Sequence, residues 1–379
     1  MSRTIIDINI LQTVPPSNVN RDDTGSPKTA VYGGVRRARV SSQAWKRATR
    51  HAFEDLLDRE DLGTRTKRVV ELLAERIREQ QPDIPVERAE QLATWAFKAA
   101  GFKLVTPRKS TKDNPLPEES GYLLFLSALQ VNKLAAVAVE ADATDDAEAH
   151  LKAAGLKKII DADHSVDLAL FGRMVADSSD LNVDAAAQVA HAISVHAVEN
   201  EFDYFTAVDD HKNDDDEEDA GAGMIGTVEF NSSTLYRYAT VDVDRLRDNL
   251  GDNQATARAV AAFVEAFARS MPTGKQNTFA NRTLPDAIVV SVRDTQPVNL
   301  VGAFESTIAG NDRLRTASDR LAEHARAIDE KYSTTPVASW TVRVSDAASA
   351  LDALGESTSL ATLVSEVRET VAARLAERP

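Results

Sequence analysis

The chain opens on a period-two pattern that commits it to a sheet. Thr4, Ile6, Ile8 and Ile10 fall on one side of a strand, and Asp7 and Asn9 on the other. Pro15-Pro16 ends that strand, and residues 13–40 read as a long loop with a turn at Asp22-Asp23-Thr24-Gly25. Ser41-Ser42 offers an N-cap for a helix from Gln43 to Leu57, whose buried face carries Trp45, Thr49, Ala52 and Leu56. Helical spacing dominates residues 60–160, apart from a Pro-rich loop from Thr106 to Ser120. The pattern then predicts a strand at Ser165–Phe171, an Ala-rich helix at Val183–Val198 and a strand at Gly226–Val241. A helix at Ala255–Ser270 and a strand at Ile288–Val292 follow, and the helical end includes a short strand at Trp340–Val344. Strands alternating with helices in this order define an α+β protein with an antiparallel sheet. A modified RRM-like (ferredoxin-like) core is the economical arrangement.

At 379 residues, the chain exceeds the roughly 250–300 at which one core stops growing. One core with large insertions, or two lobes, is expected. A hydrophobic share of 43% against 27% charged residues supports a folded chain. The absence of cysteine excludes disulfides, thiolate zinc sites and iron–sulfur clusters, and fits a reducing cytoplasm. No apolar leader follows Met1. The most apolar stretch, Tyr122 to Val139, is broken by Gln130, Asn132 and Lys133 and reads as core.

The net charge of −15 argues against a general nucleic-acid binder. Its distribution is uneven, however: residues 1–50 carry nine Lys/Arg against three acids. Within them lie Arg21, Lys28, Gly33-Gly34, Arg36, Arg37, Arg39, a capped helix start, and Lys46, Arg47 and Arg50 on that helix. A glycine turn lets backbone approach a ligand, free N–H groups at a helix start face an anion, and Lys/Arg add charge-assisted bonds to phosphate. Composition alone leaves a phosphate site and a solvated basic surface both open.

Tyr204-Phe205 could stack on bases or bury their rings in an edge strand. Tyr236 and Tyr238 alternate like the aromatics of an RNA-binding sheet, but without the flanking glycines of that motif. Asp209 to Asp219 holds eight acids and one lysine and lacks calcium-loop spacing, so it reads as a solvated tip. His191 and His196 fall at i, i+5 on a predicted helix and are expected to be structural. No nucleophile elbow, Walker A or H-E-x-x-H motif occurs, and Gly274-Lys275-Gln276 lacks a P-loop's upstream glycine.

The stretches Asn20-Arg21-Asp22-Asp23, Gly33-Gly34 to Ser41-Ser42-Gln43 and Lys46-Arg47-Ala48 closely resemble the N-terminal signature of the CasC-type backbone subunit of type I-E CRISPR Cascade, in the RAMP superfamily. So do Gly172-Arg173-Met174, Phe205-Thr206-Ala207-Val208-Asp209-Asp210, Phe230 to Ala239 and Gly274-Lys275-Gln276, in family order. The resemblance implies an RRM-like palm (1–57, 161–200 and 227–379), a helical finger insertion (58–160) and a thumb loop (201–226). It implies a non-catalytic subunit, copies of which line up along one CRISPR RNA, kink it with their thumbs and leave the bases free to pair with a target DNA strand. Other Cascade subunits and a recruited nuclease–helicase would be partners, with no membrane, metal or cofactor.

Carried over, Arg21, Lys28, Arg36, Arg37, Lys46, Arg47 and Arg50 would hold guide phosphates, with Lys275-Gln276 a further contact. Met174 and Tyr204-Phe205 would wedge at the kink. The chain departs from the family at Val35, where a basic residue occurs elsewhere, at Tyr204, often a tryptophan, and in its acidic thumb tip. Two other readings stay open: a RAMP-type ribonuclease using Asp22 or Asp23, and a general single-stranded RNA-binding protein.

Overall fold

A computed structural model describes residues 3–111, 115–175, 179–207 and 224–377. The chain divides into two units, 1–52 with 188–242 and 260–379, and 53–187 with 243–259.

The first unit is built on one large sheet. Strand β1 spans Ile5–Ser17, and β2 (Thr29–Tyr32) and β3 (Val35–Val40) form a hairpin that leads into helix α1 (Ser42–Ala52). Short strands β4 (Ala187–Val189) and β5 (Ala192–Ser194) precede β6 (Glu201–Ala207) and the long β7 (Met224–Asp242). Helix α2 (Asn253–Arg269), the single-turn α3 (Gln276–Phe279), β8 (Ala287–Arg293), α4 (Arg313–Tyr332), β9 (Ala338–Arg343), β10 (Glu356–Ser357) and α5 (Leu360–Ala376) complete it. The strand order is β10-β9-β8-β1-β7-β5-β3-β2, with β4 and β6 also pairing on β7. All the registered pairs are antiparallel except β9 with β10.

The expected alternation in β1 holds, but neither face is wet: Ile5 to Gln12 are all buried. Asp7 is satisfied by Tyr238 Oη at 2.7 Å, Arg293 Nε at 3.0 Å and the Val298 N–H at 2.9 Å. On that face Leu11, Tyr236, Tyr238 and Val289 share a core with Phe304 and with Leu321 of α4. On the other face Gln12 meets Arg237, whose side chain lies between Trp45 of α1 and Phe267 of α2. Helices thus cover both faces of the sheet, as its near-continuous apolar strands require.

Several expectations are corrected. Residues 13–40 are not a loop. Strand β1 runs through Pro15-Pro16 as a bulge between Val14 and Ser17, since proline cannot donate to a ladder. Gly33 and Gly34 both have positive φ and close β2–β3 as a two-residue turn. The first helix stops at Ala52 and passes into a 3-10 turn at Phe53–Asp55.

The predicted helix at Val183–Val198 is replaced by β4 and β5, because ladder pairing with β7, and for β5 with β3 as well, outweighs the helix preference of its alanines. The predicted strand at Ser165–Phe171 is a helix, Val166–Phe171. Val166 through Leu170 are buried there, so its apolar alternation reports a segment enclosed on all sides.

In the second unit, helices Val69–Gln80, Val86–Ala99 and Ala128–Asp142 pack Leu73, Ile77, Leu92, Phe97 and Leu134 into one core. The last of these starts at a capping box, Ser127 with Gln130. The apolar stretch Tyr122 to Val139 belongs to this core, and no described helix is long and apolar enough to cross a membrane. The acidic run Asp209 to Asp219 lies outside the described residues.

Candidate nucleic-acid interface

The basic segment of the first unit is held by a dense set of local bonds. Asp22 Oδ1 accepts from Thr24 N, Thr24 Oγ1 and Ser26 N, which closes the loop on itself. These bonds, led by the Thr24 hydroxyl, hold the carboxyl below its ordinary range. All three bonds end on the one oxygen Oδ1, and they make Asp22 the former of this turn. Asn18 donates to the carbonyls of Gly25 and Glu229, and Ser26 Oγ donates to Glu229 Oε1 at 2.8 Å. Asn200 Nδ2 reaches the other oxygen of Glu229. The loop is therefore fastened to the root of the β6–β7 ribbon.

It is fastened equally to α1, because Asn20 Oδ1 accepts the Ser41 N–H at 2.8 Å and the Lys28 N–H returns to the Asn20 carbonyl. A third segment closes on the same loop. A Cβ on Gly274 would lie 2.1 Å from the Val19 carbonyl oxygen, so only glycine lets the chain pass there. The next residue, Lys275, has φ +49, and Ala280 at the far end of α3 has φ +47. Two non-glycine residues in the left-handed region around one helical turn mark a strained loop of the kind found at ligand sites. Phe279 of α3 packs on Phe230 of β7, with ring centroids 5.7 Å apart.

Arg21, Arg36 and Arg47 are exposed in this unit, as is Gln276; Lys28, Lys46, Arg50 and Lys275 are half-buried. Burial holds the Lys46 ammonium below its ordinary value. The bonds just described bring the Arg21–Lys28 loop, the start of α1 and the Lys275 loop together.

Arg37 is a correction. It is fully buried, and its guanidinium donates to the carbonyls of Tyr32, Ser194, Phe304 and Glu305. With four of its five N–H donors committed to backbone and the side chain out of reach of solvent, it pins the hairpin and does not face a phosphate. Gly33 belongs to the same lock, since a Cβ there would meet the Glu305 carbonyl at 1.8 Å. Tyr236 and Tyr238, whose alternation lacked the flanking glycines of an RNA-binding sheet, pack into the core. Both are buried, and their hydroxyls donate to Asn9 and Asp7, so they offer no stacking face.

The ribbon behaves differently. Strand β6 pairs with Met224–Phe230, beyond the stretch of β7 that pairs with β1. Tyr204 is 64% exposed, and the Phe205 ring lies over Gly226, where a Cβ would come within 2.4 Å of it. Phe202 is 68% exposed and shares a face with Tyr204. Sequence reasoning missed it, although the two-residue spacing from Tyr204 was there to find.

Arg39, part of the basic stretch, donates from Nε to the Thr29 carbonyl, and His191, expected to be only structural, accepts the Ser42 N–H on Nδ1 at 3.2 Å. His191 lies between the short strands β4 and β5 and His196 just after β5, not on a helix. Met174, in the second unit, is 83% exposed. It follows Gly172, whose positive φ lets the chain pass close to Val183, and Arg173, which bridges to Val183. Arg173 is buried and donates to the Leu181, Phe125 and Ile160 carbonyls. Among the described residues no cluster of three or more His, Asp or Glu could hold a metal ion.

The fold is thus that of an α+β protein whose sheet gathers cations beside an aromatic ribbon. The chain belongs to the CT1975-like protein family, whose model matches residues 6–366. It is 36% identical to a chain of a solved "CRISPR RNA-guided surveillance complex, pre-nicking", covering 97% of this chain and 100% of that one, with a TM-score of 0.84. A chain of a second "CRISPR RNA-guided surveillance complex" is 31% identical, with 97% and 99% covered and a TM-score of 0.72. No curated protein matches this chain.

Proposed function

We propose that the chain is the RNA-gripping backbone subunit of a CRISPR Cascade surveillance complex of type I-E. The observation that carries this reading is full-length similarity to a surveillance-complex chain, together with the cation cluster at the root of the ribbon. Arg21, Lys28, Arg36, Lys46, Arg47, Arg50, Lys275 and Gln276 contact successive guide phosphates. Met174, Tyr204 and Phe205, joined by Phe202, wedge or stack at a kink. The order β8-β1-β7-β5, with α1 and α2 as the connecting helices, supports reading this unit as an RRM-like palm. The second unit is the finger.

A protein that must accept any guide has to avoid reading its bases. Phosphate contacts and aromatic stacking are both tolerant of sequence. Sequence readout passes to pairing between the guide and a target DNA strand. Further copies of the chain, other Cascade subunits and a recruited nuclease–helicase complete the assembly.

The test is to express the chain in its native host, purify it in mild salt and sequence the RNA that accompanies it. Repeat-flanked small RNAs with other Cascade proteins are the expected result. Random RNA well below one site per chain would sink the proposal.

A further inference from the structure

His191 lies in the turn between β4 and β5, and its ring caps the start of α1. Nδ1 accepts the Ser42 N–H at 3.2 Å and stands 3.4 Å from Arg39 Nη1. A nitrogen that accepts a backbone N–H carries no proton, so the neutral ring holds its proton on Nε2. Among the described residues Nε2 has no hydrogen-bond partner, and the residue is exposed. The charged groups that face the ring are Arg39 from β3 and Lys28 from the loop before β2, both cations. Partial burial first, then Arg39 and Lys28, hold the imidazole below its ordinary value.

Lys28 and Arg39 also flank one narrow cleft, together with Asn20 and Asn231. Three groups that carry or can take positive charge thus meet where no carboxylate contributes to the field on the ring. An anion placed there reverses the sign of that field.

We propose that His191 is a proton-linked positioning residue of the guide-RNA grip. When a backbone phosphate seats against Lys28 and Arg39, Nδ1 takes up a proton from solvent, and the Ser42 N–H passes from the ring to the phosphate. This rests on the guide-RNA reading given above. The sign follows from linkage: if the bound ring has the higher pKa, binding consumes a proton and tightens as pH falls. The gain begins near the pKa of the bound form and is complete below that of the free form. Each unit of separation between the two is worth about tenfold in affinity.

The experiment uses the full chain, a fluorescent single-stranded RNA of guide length and constant ionic strength between pH 5.5 and 8. The comparison is with His191→Asn, whose side-chain oxygen can still accept from Ser42 but cannot charge. Wild type should tighten about three- to tenfold on acidification. The variant, whatever its affinity at pH 8, should stay flat below it. Calorimetry at pH 6.5 in buffers of different ionisation enthalpy gives a second readout, namely proton uptake by wild type that the variant lacks. Equal pH slopes in the two proteins, or no proton uptake by wild type, would overturn the proposal. Loss of RNA binding by wild type at every pH would instead overturn the guide-RNA reading beneath it.

Discussion

The Arg237 guanidinium stacks 3.7 Å from the centre of the Trp45 ring in the interior of the first unit. Phe267 covers it at 4.5 Å, Gln12 Oε1 accepts from it at 2.6 Å, and the Phe267 carbonyl accepts a further bond. Burial pulls this group down to about 9. Aromatic faces and neutral oxygens take the place of a carboxylate around the cation. Arg237→Ala should cost about 3–5 kcal/mol in urea unfolding, because it removes both rings' partner and leaves a cavity. Arg237→Met keeps the volume and removes the buried charge, so it should recover at least about half of that loss. Equal losses for the two variants would show that charge, not packing, holds this site.

Arg37 and the carbonyls of Phe304 and Glu305 tie the hairpin into the unit. Lysine keeps the charge but lacks the fork that reaches four carbonyls. Arg37→Lys should therefore destabilise by about 2–4 kcal/mol, close to the effect of Arg37→Ala. The salt slope of RNA binding, measured well below the melting point, should stay at the wild-type value. A slope reduced as by an exposed arginine would return Arg37 to the RNA surface.

Arg47, Phe202 and Tyr204 should show the opposite behaviour. Phe202→Ala and Tyr204→Ala should each weaken RNA binding by about 1–3 kcal/mol. Arg47→Ala should lower the salt slope by about 0.7, the value for one single-strand phosphate. None of the three should move the melting temperature by more than about 2 °C, since these side chains are exposed. A large thermal shift would recast the ribbon aromatics as core.

His196 links pH to stability. Its Nδ1–H donates to the Ala197 carbonyl at 2.8 Å, and Nε2 accepts the Thr234 N–H at 3.1 Å. Burial chiefly, with Arg313 and Arg37 adding, holds the ring below its ordinary value against the opposing Ala197 bond. The unfolded chain then binds the proton more readily, so this contribution is complete above about pH 6.5 and is lost as pH falls through the folded value. The urea midpoint should drop between pH 7 and pH 5, with a limiting slope of about 1.4 kcal/mol per pH unit. His196→Gln should make that slope shallower, leaving the share of the other depressed histidines, and an unchanged slope in the variant would place the titrating group elsewhere.

What could be read from the residues was whatever depends on local period and on charge along the chain. The alternation from Thr4 to Ile10 marked β1, Gly226 to Val241 marked most of β7, and Trp45 with Thr49 marked the buried face of α1. The basic loop was legible because its cations are neighbours in sequence. Strand β3 was not, since Val35-Arg36-Arg37-Ala38-Arg39-Val40 looks like a charged loop until it has partners on both sides. Ala187 to Ser194 looked helical because alanine favours helices when nothing competes, and pairing against β7 and β3 competes.

The sequence by itself determined where the positive charge lies, that the chain must build a sheet, and which side chains could meet a phosphate. Only the tertiary structure decided which arginines remain available. Arg36 and Arg37 are adjacent and chemically identical, yet one is exposed and the other fully buried. The carbonyls that consume Arg37 come from Ser194, Phe304 and Glu305, far along the chain. A guanidinium is lost to the interior when folding delivers enough acceptors to replace its water, and no local pattern encodes that delivery.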